Sequence, residues 1–445
     1  MKILFISLGC DKNLVDSESM LGLLCQAGYQ LTDDEKEADV ILVNTCCFIG
    51  DAKEESIQTI LSMARMKQEG RCRVLLAAGC LAQRYREEIR REIPELDGVL
   101  GTASYDQVAA MVAQTLAGQE YERFEDIDRR IPPIPERMLT TGGHYAFLKI
   151  AEGCDKHCTY CVIPGVRGRY RSVPMELLEK EAQRLAKQGV RELILVAQET
   201  TLYGTDLYGR KALPELLRRL CAIPEIYWIR LQYCYPEEIT PELVAVIKEE
   251  PKICRYIDMP IQHASDEILR RMGRRTCQAQ LKEKIAQIRR EIPDICLRTT
   301  LISGFPGETE KDHEELMRFV DECEFDRLGV FAYSQEEDTP AAAMPDQVEE
   351  EIKQARRDEI MQLQQEIAFD KCAAMEGRVL DVMIEGRVTG ENAYAGRTYM
   401  DAPEVDGLIF VQTTEELMSG DFVRVRVTGA LEYDLIGEIE DEFAQ

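Results

Sequence analysis

The chain has 445 residues, with 54 Lys and Arg against 81 Asp and Glu, a net charge of −27. That length exceeds one ordinary core, and that charge argues against a protein whose main work is neutralising phosphates. Apolar content of 45% and charged content of 30% describe a soluble, folded chain, and no apolar run approaches a membrane span.

The opening MKILFISLGC runs straight into DKNLVDSE without a small-residue cleavage site, so it is expected to be a first strand and not a signal peptide. Sixteen cysteines without an export signal are expected as thiols or metal ligands in a reducing cytoplasm. Residues 1–125 alternate three apolar runs (KILFISLG, DVILVNT, RVLLAAG) with amphipathic stretches (DSESMLGLLCQAG, AKEESIQTILSMARMKQEG, QRYREEIRREI). This alternation predicts a parallel α/β sheet. Residues 126–143 are charged and Pro-rich, the composition of a linker.

From 144 to 375 six strand candidates follow: YAFLKIA, ELILVAQ, YWIRLQY, CRYIDMP, CLRTTLIS and RLGVFAYS. Helical patterns separate them. One, SVPMELLEKEAQRLAKQG, has Ser172 as an expected cap, Pro174 in its first turn and Gly189 as its stop. Six βα units predict a barrel-like or open parallel sheet, two units short of a full (β/α)8 barrel. VEEEIKQARRDEIMQLQQEIAFDKCAAMEG is a closing helix. From 376 to 445 the pattern changes to five short strands between Gly, Asn and Asp, which predicts a small antiparallel β-barrel of the oligonucleotide-binding type.

Two cysteine constellations stand out. GCDKHCTYC places Cys154, Cys158 and Cys161 in one loop after the first strand of the six-unit segment, at the edge where such folds carry active sites. Zinc would need His157 or a distant residue as fourth ligand, and no partner CxxC pair is present. A 4Fe–4S cluster with three protein ligands and one open iron suits the spacing better. Cys10, Cys46 and Cys80 end three separate strands, KILFISLGC, DVILVNTC and RVLLAAGC. In a parallel sheet these ends share one edge, so the three thiols converge there as a second cluster site. Cys47 rivals Cys46, and strand register decides between them. Cys25, Cys221, Cys254, Cys296, Cys323 and Cys372 lie in apolar patterns and are expected as buried hydrophobes.

With these residues in view, CxxxCxxC after a first barrel strand resembles the radical S-adenosylmethionine (SAM) enzymes. Together with Cys10, Cys46, Cys80 and the C-terminal barrel, the whole chain resembles the radical-SAM methylthiotransferases. SLGCDKNLVDSE, NTCCFIGDAKEESI, GCDKHCTYCVIPGVRGRYRS, DMPIQHAS and SGFPGETE look most like the branch that modifies an aspartate of a ribosomal protein. The branch acting on tRNA adenosine is the near relative. Asp11 and Cys47 stand where the first branch commonly has Pro and Gly.

The resemblance implies an α/β multidomain fold: an N-terminal methylthiotransferase domain, a partial (β/α)6 radical-SAM core and a TRAM barrel. It implies two 4Fe–4S clusters, SAM, and an electron from flavodoxin or ferredoxin. SAM bound at the open iron is cleaved to a 5′-deoxyadenosyl radical, the second cluster supplies sulfur, and a second SAM supplies methyl. The implied product is a methylthio group on the β-carbon of an aspartate in the twelfth protein of the small ribosomal subunit.

Further SAM-site candidates are Tyr160 beside the last ligand, Gln198 ending ELILVAQ, and Asp258, Gln262 and Arg298 near strand ends; each has a plain structural alternative. GFPGET lacks the Lys and spacing of a P-loop, so a tight turn that lets backbone approach SAM is expected. From Arg378 onward five basic residues face fifteen acidic ones. Such a barrel repels phosphates and attracts a basic protein, which favours a ribosomal protein over tRNA and makes nucleic acid an improbable partner. A non-catalytic metal-binding scaffold is the remote alternative.

Overall fold

The computed structural model describes residues 1–132 and 136–440; residues 133–135 of the linker and 441–445, which hold two of the fifteen acidic residues, lie outside them. The first sheet has six parallel strands: β1 (Lys2–Ser7), β2 (Gln30–Leu31), β3 (Val40–Thr45), β4 (Val74–Gly79), β5 (Gly98–Leu100) and β6 (Tyr121–Arg123). Their order is β2-β1-β3-β4-β5-β6. The periodicity reading finds β1, β3 and β4; β2, β5 and β6 are two or three residues long, too short to show a period. β3 and β4 are buried throughout because both faces are covered. Ile41, Val43, Leu75 and Ala77 face one core, and Val40, Leu42, Val74 and Leu76 the other. The expected helix after β4 is instead two short pieces, Cys80–Arg84 and Ile89–Glu92.

The second sheet contains β7 (Tyr145–Lys149), followed by a short antiparallel pair, β8 (Ala151–Glu152) with β9 (Arg171–Ser172). It continues through β10 (Glu192–Val196), β11 (Trp228–Leu231), β12 (Ile253–Asp258), β13 (Cys296–Ser303) and β14 (Arg327–Ala332). Chain neighbours are sheet neighbours, in the order β14-β13-β12-β11-β10-β7, which makes an open six-stranded parallel half-pipe. Leu148, Leu193, Leu195, Ile229, Leu231 and Leu297 point out toward the helices.

The inner face is covered by the neighbouring segments. Near one end, Leu14 and Val15 of the helix Asp11–Gln26 pack against Tyr145, Phe147, Ile194 and Val196. Toward the other, Met383 and Ala402 of the C-terminal segment pack against Trp228, Cys254, Tyr256 and Cys296. Glu192 is fully buried there between Arg230 and Arg397, each 2.7 Å away. One carboxylate shared by two guanidiniums keeps the buried charges paired.

Ser172 does not cap the next helix. It lies in β9, and its hydroxyl donates to Asp206 (2.6 Å). The helix Met175–Lys187 starts after Pro174, whose fixed φ suits that position, and Gly189 follows its end at φ +107°. Two cysteine expectations also change: Cys25 is exposed and Cys221 half-buried, while Cys254, Cys296, Cys323 and Cys372 are buried. Cys25 sits in the last turn of its helix, one residue past the fully buried Leu24 and off the face that Leu24 buries.

The last segment is a closed barrel of β15 (Val379–Arg387), β16 (Ala393–Arg397), β17 (Ile409–Gln412), β18 (Phe422–Leu431) and β19 (Asp434–Ile439), filled by Val382, Ile384, Val411, Val425 and Val427. It is not wholly antiparallel. β19 folds back from β18 and slots in beside β17, so the β17–β19 pairing is parallel.

Candidate metal centres

β1, β3 and β4 run parallel with Ser7 opposite Asn44 and Thr45 opposite Gly79. Cys10, Cys46 and Cys80 therefore leave one sheet edge. Two glycines permit the close approach. Gly9 has φ +90°, and a Cβ there would stand 2.7 Å from Cys46 Cβ and 2.8 Å from its Sγ. Gly79 has φ +93°, and a Cβ there would stand 2.6 Å from the Thr45 carbonyl oxygen. The positive φ and the lack of room both demand glycine before these cysteines.

The thiols sense one another. Burial pushes the Cys46 thiol up, and Cys10 adds to it. Burial pushes Cys80 up to about 12, with Cys10 and Cys46 opposing a second thiolate. A cationic cluster reverses that balance. The Ser56 hydroxyl accepts from the Cys46 amide (3.0 Å) and donates to its carbonyl (2.9 Å), which fixes the turn. Cys46 senses Cys10 and is sensed by Cys80, whereas Cys47 lies in the core cluster with Ile41, Val43, Ile60 and Leu81 and, of Cys10 and Cys80, senses Cys80.

Cys154, Cys158 and Cys161 follow β8 at the corresponding edge of the half-pipe. The loop is held by Cys154 N–H to the Gly168 carbonyl (3.1 Å), Thr159 N–H to the Met272 carbonyl (3.0 Å) and Cys161 N–H to the Cys158 carbonyl (3.0 Å). Burial raises the Cys154 thiol to about 11 and that of Cys161 to about 12, with Cys158 adding to both. His157, at φ +51°, is exposed between Cys154 and Cys158. Among the described residues no three His, Cys, Asp or Glu are grouped as ligands of one metal ion. A cubane cluster gives each thiolate its own iron, so its ligands need not meet at a point.

Polar atoms left without partners also fit an absent group here. Gln198 donates its amide to Glu152 (3.0 Å), but its Oε1 is buried with no hydrogen bond among the described residues. Arg274 stacks over Tyr235 at 4.2 Å and donates to the Pro260 carbonyl (2.9 Å), yet its Nε and Nη1 are buried and unpaired among the described residues. Such atoms cost free energy until a ligand satisfies them. The Tyr235 hydroxyl stands 3.7 Å from Cys158 Sγ. Tyr160 meets Phe305 edge-on at 6.4 Å, walling the site with aromatic surface.

Between the two cysteine sets lies a buried charge network. Arg167 ends the short helix after Cys161 and donates to Cys80 Sγ (3.4 Å), Asn13 (3.0 Å), Asp16 (2.5 Å) and Glu152 (3.2 Å). Lys149 pairs with Asp16 and, at 2.7 Å, with Glu152. These cations hold the Glu152 carboxyl well below the usual range despite its burial.

The other expected residues are placed as follows. Asp258 accepts from the Tyr233 amide (3.0 Å) and from Arg298 (2.9 Å). Arg298 also faces Asp406 of the barrel at 3.5 Å, so it ties the half-pipe to the C-terminal segment. Gln262 has φ +72°, and its backbone bonds to Thr300 and Ile302 extend the sheet past β12. In GFPGET the Glu308 carboxylate accepts from the amides of Gly304 (2.8 Å) and Phe305 (3.2 Å), closing the turn on itself. Sequence reasoning missed Lys12, Asp16, Lys149, Arg167, Tyr233 and Arg274. All but Arg274 sit in a quoted motif or strand, but only the packing shows what each touches.

Comparison with known proteins adds three family matches: the Uncharacterized protein family UPF0004 over residues 2–101, the Radical SAM superfamily over 148–320 and the TRAM domain over 377–439. A protein of Lachnoclostridium phytofermentans is 62% identical over 99% of this chain and 100% of its own. One of Clostridioides difficile is 48% identical over 100% of both. Each is named ribosomal protein uS12 methylthiotransferase RimO. Among solved structures, a radical SAM methyltransferase of Kitasatospora setae, TsrM, shares the fold at TM-score 0.55 and 14% identity, over 76% of each chain.

Proposed function

The chain belongs to the ribosomal-protein branch of the radical-SAM methylthiotransferases, and from that premise we infer that it methylthiolates the β-carbon of an aspartate in ribosomal protein uS12. The observation that carries this reading is full-length identity to uS12 methylthiotransferases in a chain with both cysteine sets. The enzyme uses SAM and two 4Fe–4S clusters. When bound, these supply one-electron cleavage of SAM, sulfur and methyl.

The chain's own residues hold, orient and exclude. We assign one cluster to Cys154, Cys158 and Cys161 and the other to Cys10, Cys46 and Cys80. Gln198 Oε1 and the Arg274 nitrogens, buried without partners among the described residues, are the candidate partners for SAM's polar groups. Tyr160 with Phe305 forms an apolar wall that keeps water from a reactive radical. Asp258 and Arg298 act through Tyr233 and the C-terminal barrel as positioning residues, and Gln262 shapes the strand end.

Arg167 and Lys149 neutralise Asp16 and Glu152 and lock the cysteine edges face to face. That rigidity sets the distance over which sulfur meets the substrate carbon. Exposed acids of the barrel, among them Glu391, Glu415, Glu416, Glu432 and Glu438, suit a basic ribosomal protein. Flavodoxin or ferredoxin as electron donor and a cytoplasmic setting complete the reading; among the described residues no helix is long and apolar enough to cross a membrane.

The test is mass spectrometry after anaerobic reconstitution with iron, sulfide, SAM and reductant, offering a uS12 loop peptide and unmodified tRNA in parallel. A methylthio gain on the peptide aspartate alone supports the reading. A gain on tRNA alone overturns it in favour of the tRNA branch.

A further inference from the structure

We propose that the ammonium of Lys12, seated beside Cys10 at the mouth of the half-pipe, is the group that takes the side-chain carboxylate of the substrate aspartate. This inference rests on the aspartate-substrate reading above. Lys12 lies in the first turn of the helix Asp11–Gln26, two residues after Cys10, and only 7% of it is exposed. Its Nζ stands 3.2 Å above the ring centroid of Tyr233. The ring is held in turn: its hydroxyl donates to Asp11 (3.0 Å), and its amide donates to Asp258 (3.0 Å) at a backbone φ of +60°. Lys12 makes no hydrogen bond or ion pair among the described residues.

The neighbouring cations differ. Arg167 and Lys149 are matched to Asp16 and Glu152, Lys156 to Glu237 and Glu238, and Arg298 to Asp258 and Asp406. A nearly buried ammonium with only an aromatic face for company lacks the partner that burial of charge demands. The helix adds to the field: Cys10 caps it without a side-chain hydrogen bond, so its positive end is free to meet an anion.

The substrate supplies the missing partner. The β-carbon of aspartate carries the carboxylate directly, so the reacting atom cannot enter a dry site without bringing a negative charge. Lys12 stands beside Cys10, one of the thiols assigned to the sulfur-bearing cluster, where that charge would arrive. A carboxylate on Lys12 would fix the β-carbon one bond away from a known point. An asparagine in the same loop would keep the shape and lose the charge.

The experiment is fluorescence anisotropy with iron-loaded enzyme, comparing a labelled uS12 loop peptide with the same peptide carrying Asn for Asp. Wild type, Lys12→Met, Lys12→Gln and Lys12→Arg are compared at matched iron content. The readout is the ratio of the two affinities within each protein, which cancels differences in folding or loading. Wild type should favour the Asp peptide by roughly 10- to 100-fold, as for a hydrogen bond between charged groups. Lys12→Met and Lys12→Gln should bring the ratio near one, and Lys12→Arg should keep most of it. A wild-type ratio near one, or an unchanged ratio in both neutral variants, overturns the proposal and leaves Lys12 as packing on Tyr233. If wild type neither binds nor methylthiolates the Asp peptide, the substrate reading has failed and this inference falls with it.

Discussion

Replacing Arg167 with Met removes one cation from a network that crosses from the first sheet to the half-pipe. The side chain is 3% exposed and holds Asp16 at 2.5 Å, Glu152 at 3.2 Å, Asn13 at 3.0 Å and Cys80 Sγ at 3.4 Å. Met matches the aliphatic stem, so the change is mainly one of charge and hydrogen bonding. Two buried carboxylates would then share Lys149 alone. Breaking a buried pair in this way costs about 3–5 kcal/mol. Urea unfolding of the metal-free protein, followed by circular dichroism, should show that loss with the slope retained. Because Asp16 lies on the helix Asp11–Gln26, amide exchange there should accelerate more than in β10 to β14. A cycle with Asp16→Asn should give a coupling of about 0.5–3 kcal/mol. The solvent-exposed Arg270–Glu267 pair serves as a control and should leave the midpoint unmoved. A loss in Arg167→Met below about 1 kcal/mol, the size of a surface pair, would refute the claim that this network holds the two cysteine edges together.

Three further outcomes are expected. Cys46→Ser should lose roughly half the iron of the two-cluster enzyme, whereas Cys47→Ser, altering a core thiol, should keep it; equal loss in both would remove the register argument. Burial pushes the Glu199 carboxyl from 4.5 up to about 7. The folded chain therefore holds a proton that the unfolded chain releases, and stability falls as pH rises from about 4.5 to 7. In metal-free protein at about pH 8, Glu199→Gln should exceed wild type by about 3 kcal/mol, and parallel pH profiles of the two urea midpoints would contradict this. Lys at Glu415, Glu416, Glu432 and Glu438, all exposed barrel positions, should weaken binding to the ribosomal protein, most strongly at low salt. Unchanged affinity in a salt titration would sink electrostatic recognition by this barrel.

Several features followed from the sequence alone. Apolar runs ending in GC, TC and GC place three thiols at one parallel edge, because consecutive strands of such sheets end together. CxxxCxxC needs no tertiary information, since one loop carries all three cysteines. Six βα units and five Gly-punctuated strands were legible because periods of 3.6 and 2 leave visible marks when elements are long enough.

The tertiary structure decided what those marks cannot carry. Cys46 and Cys47 are adjacent and chemically identical, and only the turn fixed by Ser56 gives them different surroundings, Cys46 toward Cys10 and Cys47 toward Cys80 and the core. β2, β5 and β6 exist because a neighbouring strand edge pairs with them, not because of their own pattern. The parallel β17–β19 pairing depends on where β19 finds a free edge. An open half-pipe leaves its inner face uncovered, and nothing in its own strands says that Val15 and Met383, far away in the chain, will cover it. The same holds for charge. Asp16, Lys149, Glu152 and Arg167 look like ordinary polar residues in sequence and become a buried network when two domains meet. Lys12, an ordinary lysine in the sequence, is set apart only by its packing over Tyr233 with no ion pair among the described residues.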